Sequence, residues 1–414
     1  MTVSASEVDL IGRLLRGIRE RRIPLGISKK WRRAPHRSVL WRLARHLYAQ
    51  PSDFFKQFGL FPLPVQSVSY EQFRCFQFEA VRPFSVSDVP KSIHPPKDWI
   101  AWTSELPEPL RGHTIPSCHT ALIPNGYADA RGNVFSEEGC LVLGASLAVR
   151  NHVDDYYVPQ RVWPPVYKAK RIGVLTSSLQ GAYYHWLVEV LPRIHMLRGQ
   201  RLSTSPLFVQ AKHRFQKETL ALLGLSSPQL INSEDYEFVS AEEVVVPFHA
   251  IGARTQYPRW VCDFLRGAFL PAAIREKATD SVTRLYVSRD DAQWRRVTNE
   301  AEVLQILEPL GFRRITLGQS SFLEQVRLFH DAKVVVAPHG AALSNLVFCQ
   351  PQTKVIEFQQ LKLDSCFFRL SRSVGLDHYY IRSSTGPANP TDNRQQVTID
   401  RTELRRTLQL AGVR

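Results

Sequence analysis

Val334-Val-Val-Ala-Pro-His-Gly-Ala-Ala-Leu-Ser-Asn-Leu346 is the stretch on which the fold turns. Three valines and an alanine read as a buried strand, Pro338 ends it, and the small residues beyond predict the start of a helix. The same strand-then-helix alternation recurs on both sides. Apolar runs at 284–288, 313–317, 333–337 and 354–358 predict four strands with helices between them. Asn299 with Glu302, and Ser321 with Glu324, have capping-box spacing, and Gly311 stands where a helix C-cap belongs. Farther toward the N-terminus, strands at 172–176, 207–209 and 244–246 alternate with helices from about 183, over 217–223 and over 260–277. Two such series predict an α/β fold of two Rossmann-like units facing a cleft, with strand C-termini toward it.

The expected organisation has three parts. Residues 1–115 form a basic helical and irregular β extension. Residues 116–265 form the first Rossmann-like unit, led by hairpins that turn at Asn125-Gly126, Gly132-Asn133 and Glu138-Gly139. Residues 266–414 form the second unit and its closing helix. A chain of 414 residues is long enough for two domains with extensions.

The charge is the unusual feature of the composition: 53 Lys and Arg against 38 Asp and Glu leave a formal +15. An anionic partner is implied, whether phosphorylated ligand, acidic membrane surface or nucleic acid. Between Arg13 and Arg45 twelve Lys or Arg face one acid, Glu20, and Leu10, Ile11, Leu14, Leu15 and Ile18 make an apolar helix stripe beside them. A basic amphipathic helix of that kind suits an anionic membrane surface. The first ten residues lack the apolar core of a signal peptide, and no apolar run reaches bilayer length, so the expected location is cytoplasmic, peripheral at the inner face of the plasma membrane. The six scattered cysteines include no C-x-x-C pair, so reduced, mostly buried thiols are expected, with no metal site.

Three stretches carry candidate chemistry. A helix opening after His339, Gly340 and Ala341 would offer free N–H groups and a positive dipole end to a phosphate, with His339 placed to donate. Ser288-Arg-Asp-Asp-Ala-Gln-Trp-Arg-Arg296 also follows a strand, and Arg289, Arg295 and Arg296 suit a phosphate because the guanidinium fork makes paired hydrogen bonds and stays charged. Glu357, near the end of the next strand, is a candidate ribose acceptor. In Tyr183-Tyr-His-Trp-Leu-Val-Glu-Val-Leu-Pro-Arg193, His185 and Glu189 stand four apart on one helix face amid apolar neighbours. A partly desolvated carboxylate there suits a general base.

Taken together, Tyr184-His-Trp-Leu-Val-Glu-Val-Leu-Pro-Arg193, Ser288-Arg-Asp-Asp-Ala292, Pro338-His-Gly-Ala-Ala-Leu-Ser-Asn345 and Lys354-Val-Ile-Glu-Phe358 resemble glycosyltransferase family 61. That family takes in bacterial capsular-polysaccharide-type enzymes, plant xylosyl- and arabinosyltransferases, and animal O-GlcNAc transferases. The resemblance covers roughly 120–410. It implies a GT-B fold, inversion at the anomeric carbon, no required metal or cofactor, and Glu189 as catalytic base with His185 beside it. It also implies a nucleotide-sugar donor, UDP-linked in the simplest case, held by Arg289, Arg295, Arg296, His339, Gly340, Ala341, Asn345 and Glu357. A glycan or lipid-linked acceptor follows. The common bacterial form carries Asp where this chain has Glu189, and Gly where it has Ala342. Two other readings compete: a basic nucleic-acid-binding protein, which lacks any RRM, KH, zinc-finger or helix-turn-helix signature here, and an inactive glycan-binding scaffold of the same fold.

Overall fold

The computed structural model describes residues 67–69, 74–79, 118–137, 140–143, 166–199, 206–236, 238–248, 257–275, 282–360, 364–384 and 395–414. The basic stripe expected within 1–50 lies outside the described residues.

The chain builds two sheets. In order, the strands of the first are β1 (Ser67–Ser69), β2 (Arg74–Glu79), β3 (Cys118–Pro124), β4 (Tyr127–Asp129), β5 (Val134–Phe135), β6 (Leu141–Leu143), β7 (Val166–Val174), β8 (Leu207–Val209), β9 (Leu230–Asn232) and β10 (Phe238–Pro247). Three helices accompany them. The first, α1, runs Tyr183–His185, through a π-helical turn Trp186–Val190, to Leu191–Gly199; α2 is Arg214–Leu222 and α3 is Arg259–Arg275. The second sheet holds β11 (Arg284–Val287), β12 (Arg313–Ile315), β13 (Val334–Pro338), β14 (Lys354–Gln359) and β15 (Asp377–Arg382). Its helices are α4 (Glu300–Leu307), α5 (Phe322–Asp331), α6 (Cys366–Ser373) and α7 (Arg401–Leu410), with a 3-10 segment at Ala341–Phe348. Among the described residues no helix is long and apolar enough to cross a membrane.

The second sheet is wholly parallel, in the order β12-β11-β13-β14-β15. Counted from β11 this is 2-1-3-4-5, the flavodoxin-like doubly wound order, so strand order reverses between β11 and β13. The first sheet is mixed. Its strands β10-β7-β8-β9 run parallel, while β10 also pairs antiparallel with β3 and β4. The predicted hairpins are therefore not a separate layer: β3 and β4 add directly to the β10 edge, and β4 pairs with β5 across a turn closed at Gly132. A Cβ on Gly132, where φ is +90°, would meet the Thr176 carbonyl oxygen at 2.5 Å.

Most of the expected elements are present, with two local departures. Ser321 accepts from the Glu324 N–H and completes its capping box at the start of α5, and Gly311 takes the left-handed conformation expected of it. Asn299 makes no side-chain cap. Its amide donates to the Ile399 carbonyl and accepts the Ile399 N–H, so a tertiary contact has taken the groups a cap would use. The stretch after His339 is a 3-10 segment rather than an α-helix. Ser344 Oγ and Asn345 Nδ2 donate back to the Ala341 and Ala342 carbonyls, giving the backbone turn side-chain partners.

One apolar cluster draws on both sheets: Leu187, Leu191, Val209 and Val245 belong to it, and so do Leu285, Val335, Leu346 and Phe348. The expected boundary at 265/266 falls within α3, whose residues Val261, Cys262, Leu265, Phe269 and Ala273 lie in that same cluster. Arg266 on α3 donates to the Val347 and Cys349 carbonyls at 2.8 and 2.7 Å, capping the end of the 3-10 segment. Glu218 on α2 accepts the Phe322 N–H at 2.7 Å and so tethers the start of α5.

Candidate active site

Sequence-distant groups meet at the C-terminal ends of β11 and β13, the two strands flanking the order reversal. Arg289 follows β11, and His339 and Gly340 follow β13. At Gly340 the two segments meet. A Cβ there would stand 2.0 Å from Arg289 Nη1, so the guanidinium lies against bare backbone. The Gly340 backbone is extended, with φ 169°, so close approach rather than strain calls for glycine. Arg289 Nε donates to the Trp294 carbonyl at 3.1 Å. Burial lowers this guanidinium to about 10, with the nearby charge of Arg295 acting in the same direction.

Arg295 takes a left-handed backbone, φ 61°, and its buried Nε has no hydrogen-bond partner. Burial lowers its pKa, and Cys366, Asp364 and Glu357 push it back up. Arg296 points elsewhere: it is exposed, its Nε donates to the Ala292 carbonyl, and its N–H donates to Gln396. The arginine pair at the site is therefore Arg289 with Arg295, and Arg296 is not brought to it.

His339 is held from behind. Its Nδ1 lies 2.6 Å from Glu357 Oε1, and Glu357 Oε2 lies 3.0 Å from His378 Nε2. His378 Nδ1 meets Ser371 Oγ at 2.8 Å, completing a buried chain from α6 through β15 and β14. Glu357 is fully buried. Burial raises its carboxyl, and the hydrogen bonds and charges of both histidines more than offset this, leaving it at about 2. Both of its oxygens are taken, so the expected role as a ribose acceptor does not match this geometry. Glu357 orients His339 instead.

Asn345 is likewise committed. Its Oδ1 accepts from Tyr183 at 2.7 Å and its Nδ2 donates to Gln325 and Ala342, so it ties α1 to the 3-10 segment and does not face a ligand. Ala341 opens that segment, where the first N–H groups have no intrasegment partner.

The second cluster sits on α1. His185 Nδ1 is 2.8 Å from Glu189 Oε1, with side chains 27% and 17% exposed, so the carboxylate is largely but not wholly withdrawn from water. The π-helical turn buries Trp186, Leu187, Val188 and Val190 while Glu189 emerges between them. Such single π turns in a helix are frequent at functional sites. Trp186 Nε1 donates to Thr219 at 2.9 Å and pins this turn to α2. Beneath it, buried Arg193 donates to the Glu189 and Leu175 carbonyls, while its Nη1 has no partner. Burial lowers Arg193 to about 10, against the charge of Glu189. Arg193 was legible only as one letter of a motif; its bond to the Glu189 carbonyl is a local helix contact, and its bond to Leu175 is tertiary.

Tyr184 connects the two clusters. Its ring packs edge-on to His185 and to Phe367, and Phe367 packs on His339 with centroids 5.0 Å apart. Its hydroxyl meets that of Tyr257, and the charges of Glu189, Cys366 and Asp364 all act on it after the dominant effect of burial, which pushes it well up. Tyr184 therefore links the His185–Glu189 pair, through Phe367, to His339.

His339, Asp364 and Cys366 also converge: one ligand-type atom from each lies within 4.8 Å of the others. This cluster was not expected, because His339 follows a strand while Asp364 and Cys366 stand at the start of α6, more than twenty residues on. The described cysteines, Cys140, Cys262, Cys349 and Cys366, are all unpaired, and the last three are buried.

A family model described as Glycosyltransferase 61 matches residues 183–356. The segment includes α1 with Glu189, the Arg289 loop and the His339 turn, and it stops one residue before Glu357. EGF domain-specific O-linked N-acetylglucosamine transferase of Mus musculus is 22% identical over 130 residues, covering 30% of this chain and 24% of that protein. The Gallus gallus protein of the same name matches to the same extent. Beta-1,2-xylosyltransferase of Arabidopsis thaliana is 29% identical over 83 residues, covering 20% of this chain and 16% of that protein. The chain thus matches about a quarter or less of the length of these relatives. Motif blocks, strand-end geometry and family match coincide on one segment: residues 183–356 match the family described as Glycosyltransferase 61.

Proposed function

We propose that the protein is an inverting glycosyltransferase that moves a sugar from a nucleotide-sugar donor to a hydroxyl of a glycan acceptor. The observation that carries this reading is Tyr184, whose ring packs on His185, the partner of Glu189, and on Phe367, which in turn packs on His339. A base and an anion-binding turn linked through these rings are the pair of groups that a displacement at C1 requires. The donor diphosphate rests at the reversal point between β11 and β13, where doubly wound sheets bind ligands. Arg289, Arg295, His339 and the N–H groups opening the 3-10 segment take up the leaving charge, so a divalent cation is not required for it. Glu189 accepts the acceptor proton as its oxygen attacks, and His185 orients the carboxylate.

The parallel β10-β7-β8-β9 strands of the first sheet and the wholly parallel second sheet support a GT-B-like arrangement. The bacterial surface-polysaccharide setting rests on the four-block resemblance, while the relatives above come from animals and a plant. The basic stretch between Arg13 and Arg45 supports attachment to an anionic inner membrane face, near a lipid-linked acceptor.

The test is donor-sugar transfer by Glu189→Gln in the presence of EDTA. A general base contributes about 10² to 10⁴-fold, so kcat should fall by that factor while nucleoside diphosphate affinity is kept. Turnover near the wild-type rate would remove Glu189 from this role, with His185 next in line. Wild-type activity abolished by EDTA would overturn the metal-free leaving-group scheme.

A further inference from the structure

We propose that His339, Asp364 and Cys366 form a binding site for a thiophilic divalent cation of the Zn²⁺ class. Their ligand-type atoms already lie within 4.8 Å of one another, and His339 Nε2 stands 3.8 Å from Asp364 Oδ2. Ligand atoms around a tetrahedral zinc stand roughly 3.3 to 3.8 Å apart, so closing the site needs a shift on the order of 1 Å. Imidazole, carboxylate and thiolate are the donors this ion takes.

A second, independent feature points the same way. The other ring nitrogen of His339 is bound to a fully buried carboxylate, Glu357, at 2.6 Å. A carboxylate behind a histidine fixes its tautomer, leaves Nε2 free to coordinate, and is the usual companion of a metal-bound imidazole. The Cys366 thiol is pushed well up by burial, with the charges of Asp364 and Glu357 adding to it. A cation that binds the sulfur displaces the thiol proton to solvent. Asp364, with its side chain 59% exposed, leaves the cluster open to solvent.

Nε2 of His339 cannot serve a phosphate oxygen and a cation at once. A bound cation therefore competes with the donor diphosphate, a consequence that rests on the donor-site reading above and makes the site inhibitory rather than catalytic.

The test uses the full chain, stripped of metal with a chelator, desalted and kept reduced, and titrated with Co²⁺ alone. A saturable thiolate-to-cobalt charge-transfer band is expected. It should vanish in Cys366→Ser, and Asp364→Asn should weaken binding about tenfold or more. The exposed Asp364 makes that second variant safe for folding. Glu357→Gln should keep the band and weaken Co²⁺ roughly 10- to 100-fold. No band in the wild type, or a band unaltered in both Cys366→Ser and Asp364→Asn, overturns the site. UDP is then titrated with and without Zn²⁺, and the apparent Kd should rise about tenfold or more at saturating metal. A cobalt band together with UDP affinity indifferent to Zn²⁺ overturns the competition. Failure of the chelated protein to bind any nucleoside diphosphate removes the donor reading and leaves the metal site standing.

Discussion

Gly340→Ala isolates the donor site without deleting any of its polar groups. The added methyl would lie 2.0 Å from Arg289 Nη1, whereas ordinary contact begins near 3.4 Å, so the guanidinium must retreat by about 1.4 Å. The backbone at Gly340 is extended, so alanine adds no conformational strain, and the displaced atom is the far end of a flexible side chain. The fold should lose little: the Arg289–Trp294 hydrogen bond is worth about 1 kcal/mol. Phosphate recognition should lose more, because a charged hydrogen bond moved by more than an ångström is broken, at about 1 to 3 kcal/mol. That is roughly a 5- to 150-fold weaker nucleoside diphosphate. Isothermal titration with UDP and other nucleoside diphosphates, beside a denaturation curve for each variant, reads both quantities. Arg289→Ala should weaken binding by a similar factor, and adding Gly340→Ala to it should then do almost nothing, because both act through one guanidinium. Two full, additive losses would refute the reasoning. Unchanged affinity in both single variants would remove the phosphate site altogether.

The two neighbouring arginines should separate cleanly: Arg295→Ala should weaken nucleoside diphosphate binding by about tenfold or more in the same titration, while Arg296→Ala, whose exposed side chain donates to the Ala292 carbonyl, should leave it nearly unchanged. Tyr183→Phe leaves the buried Asn345 Oδ1 without its donor and should cost about 1 to 3 kcal/mol in chemical denaturation. Glu357 has a folded-state pKa of about 2 against an ordinary 4.5. Its contribution, on the order of 3 kcal/mol, should be complete above pH 4.5 and fade as the pH falls toward 2. In Glu357→Gln that part of the acid loss should be missing; a stability–pH curve parallel to wild type would refute it.

The strand-to-helix turns were legible because each rests on local chemistry. An apolar β-branched run with a proline at its end can be little else at 334–338, and the Ser321–Glu324 box needs only residues three apart. Where a side chain found a better distant partner, the local reading failed. Asn299 left its cap for Ile399, Glu357 turned inward to two histidines, and Asn345 reached Tyr183. Each is a buried polar group, and burial obliges such a group to find a hydrogen-bond partner wherever the fold brings one.

By itself the sequence determined the class of structure and the chemical types at the site. Alternating apolar runs dictate parallel strands covered by helices, and Glu189, His185, Arg289 and His339 follow from spacing within single elements. Which arginine joins Arg289 was a tertiary matter, since Arg295 and Arg296 are adjacent and only the left-handed turn at Arg295 sends them opposite ways. Strand order was tertiary too. The same alternation is compatible with several orders, and packing alone put β11 beside β13 and so brought Arg289 across Gly340. The His339–Asp364–Cys366 cluster belongs with these. No spacing rule links its members, because His339 follows β13 while Asp364 and Cys366 come after β14.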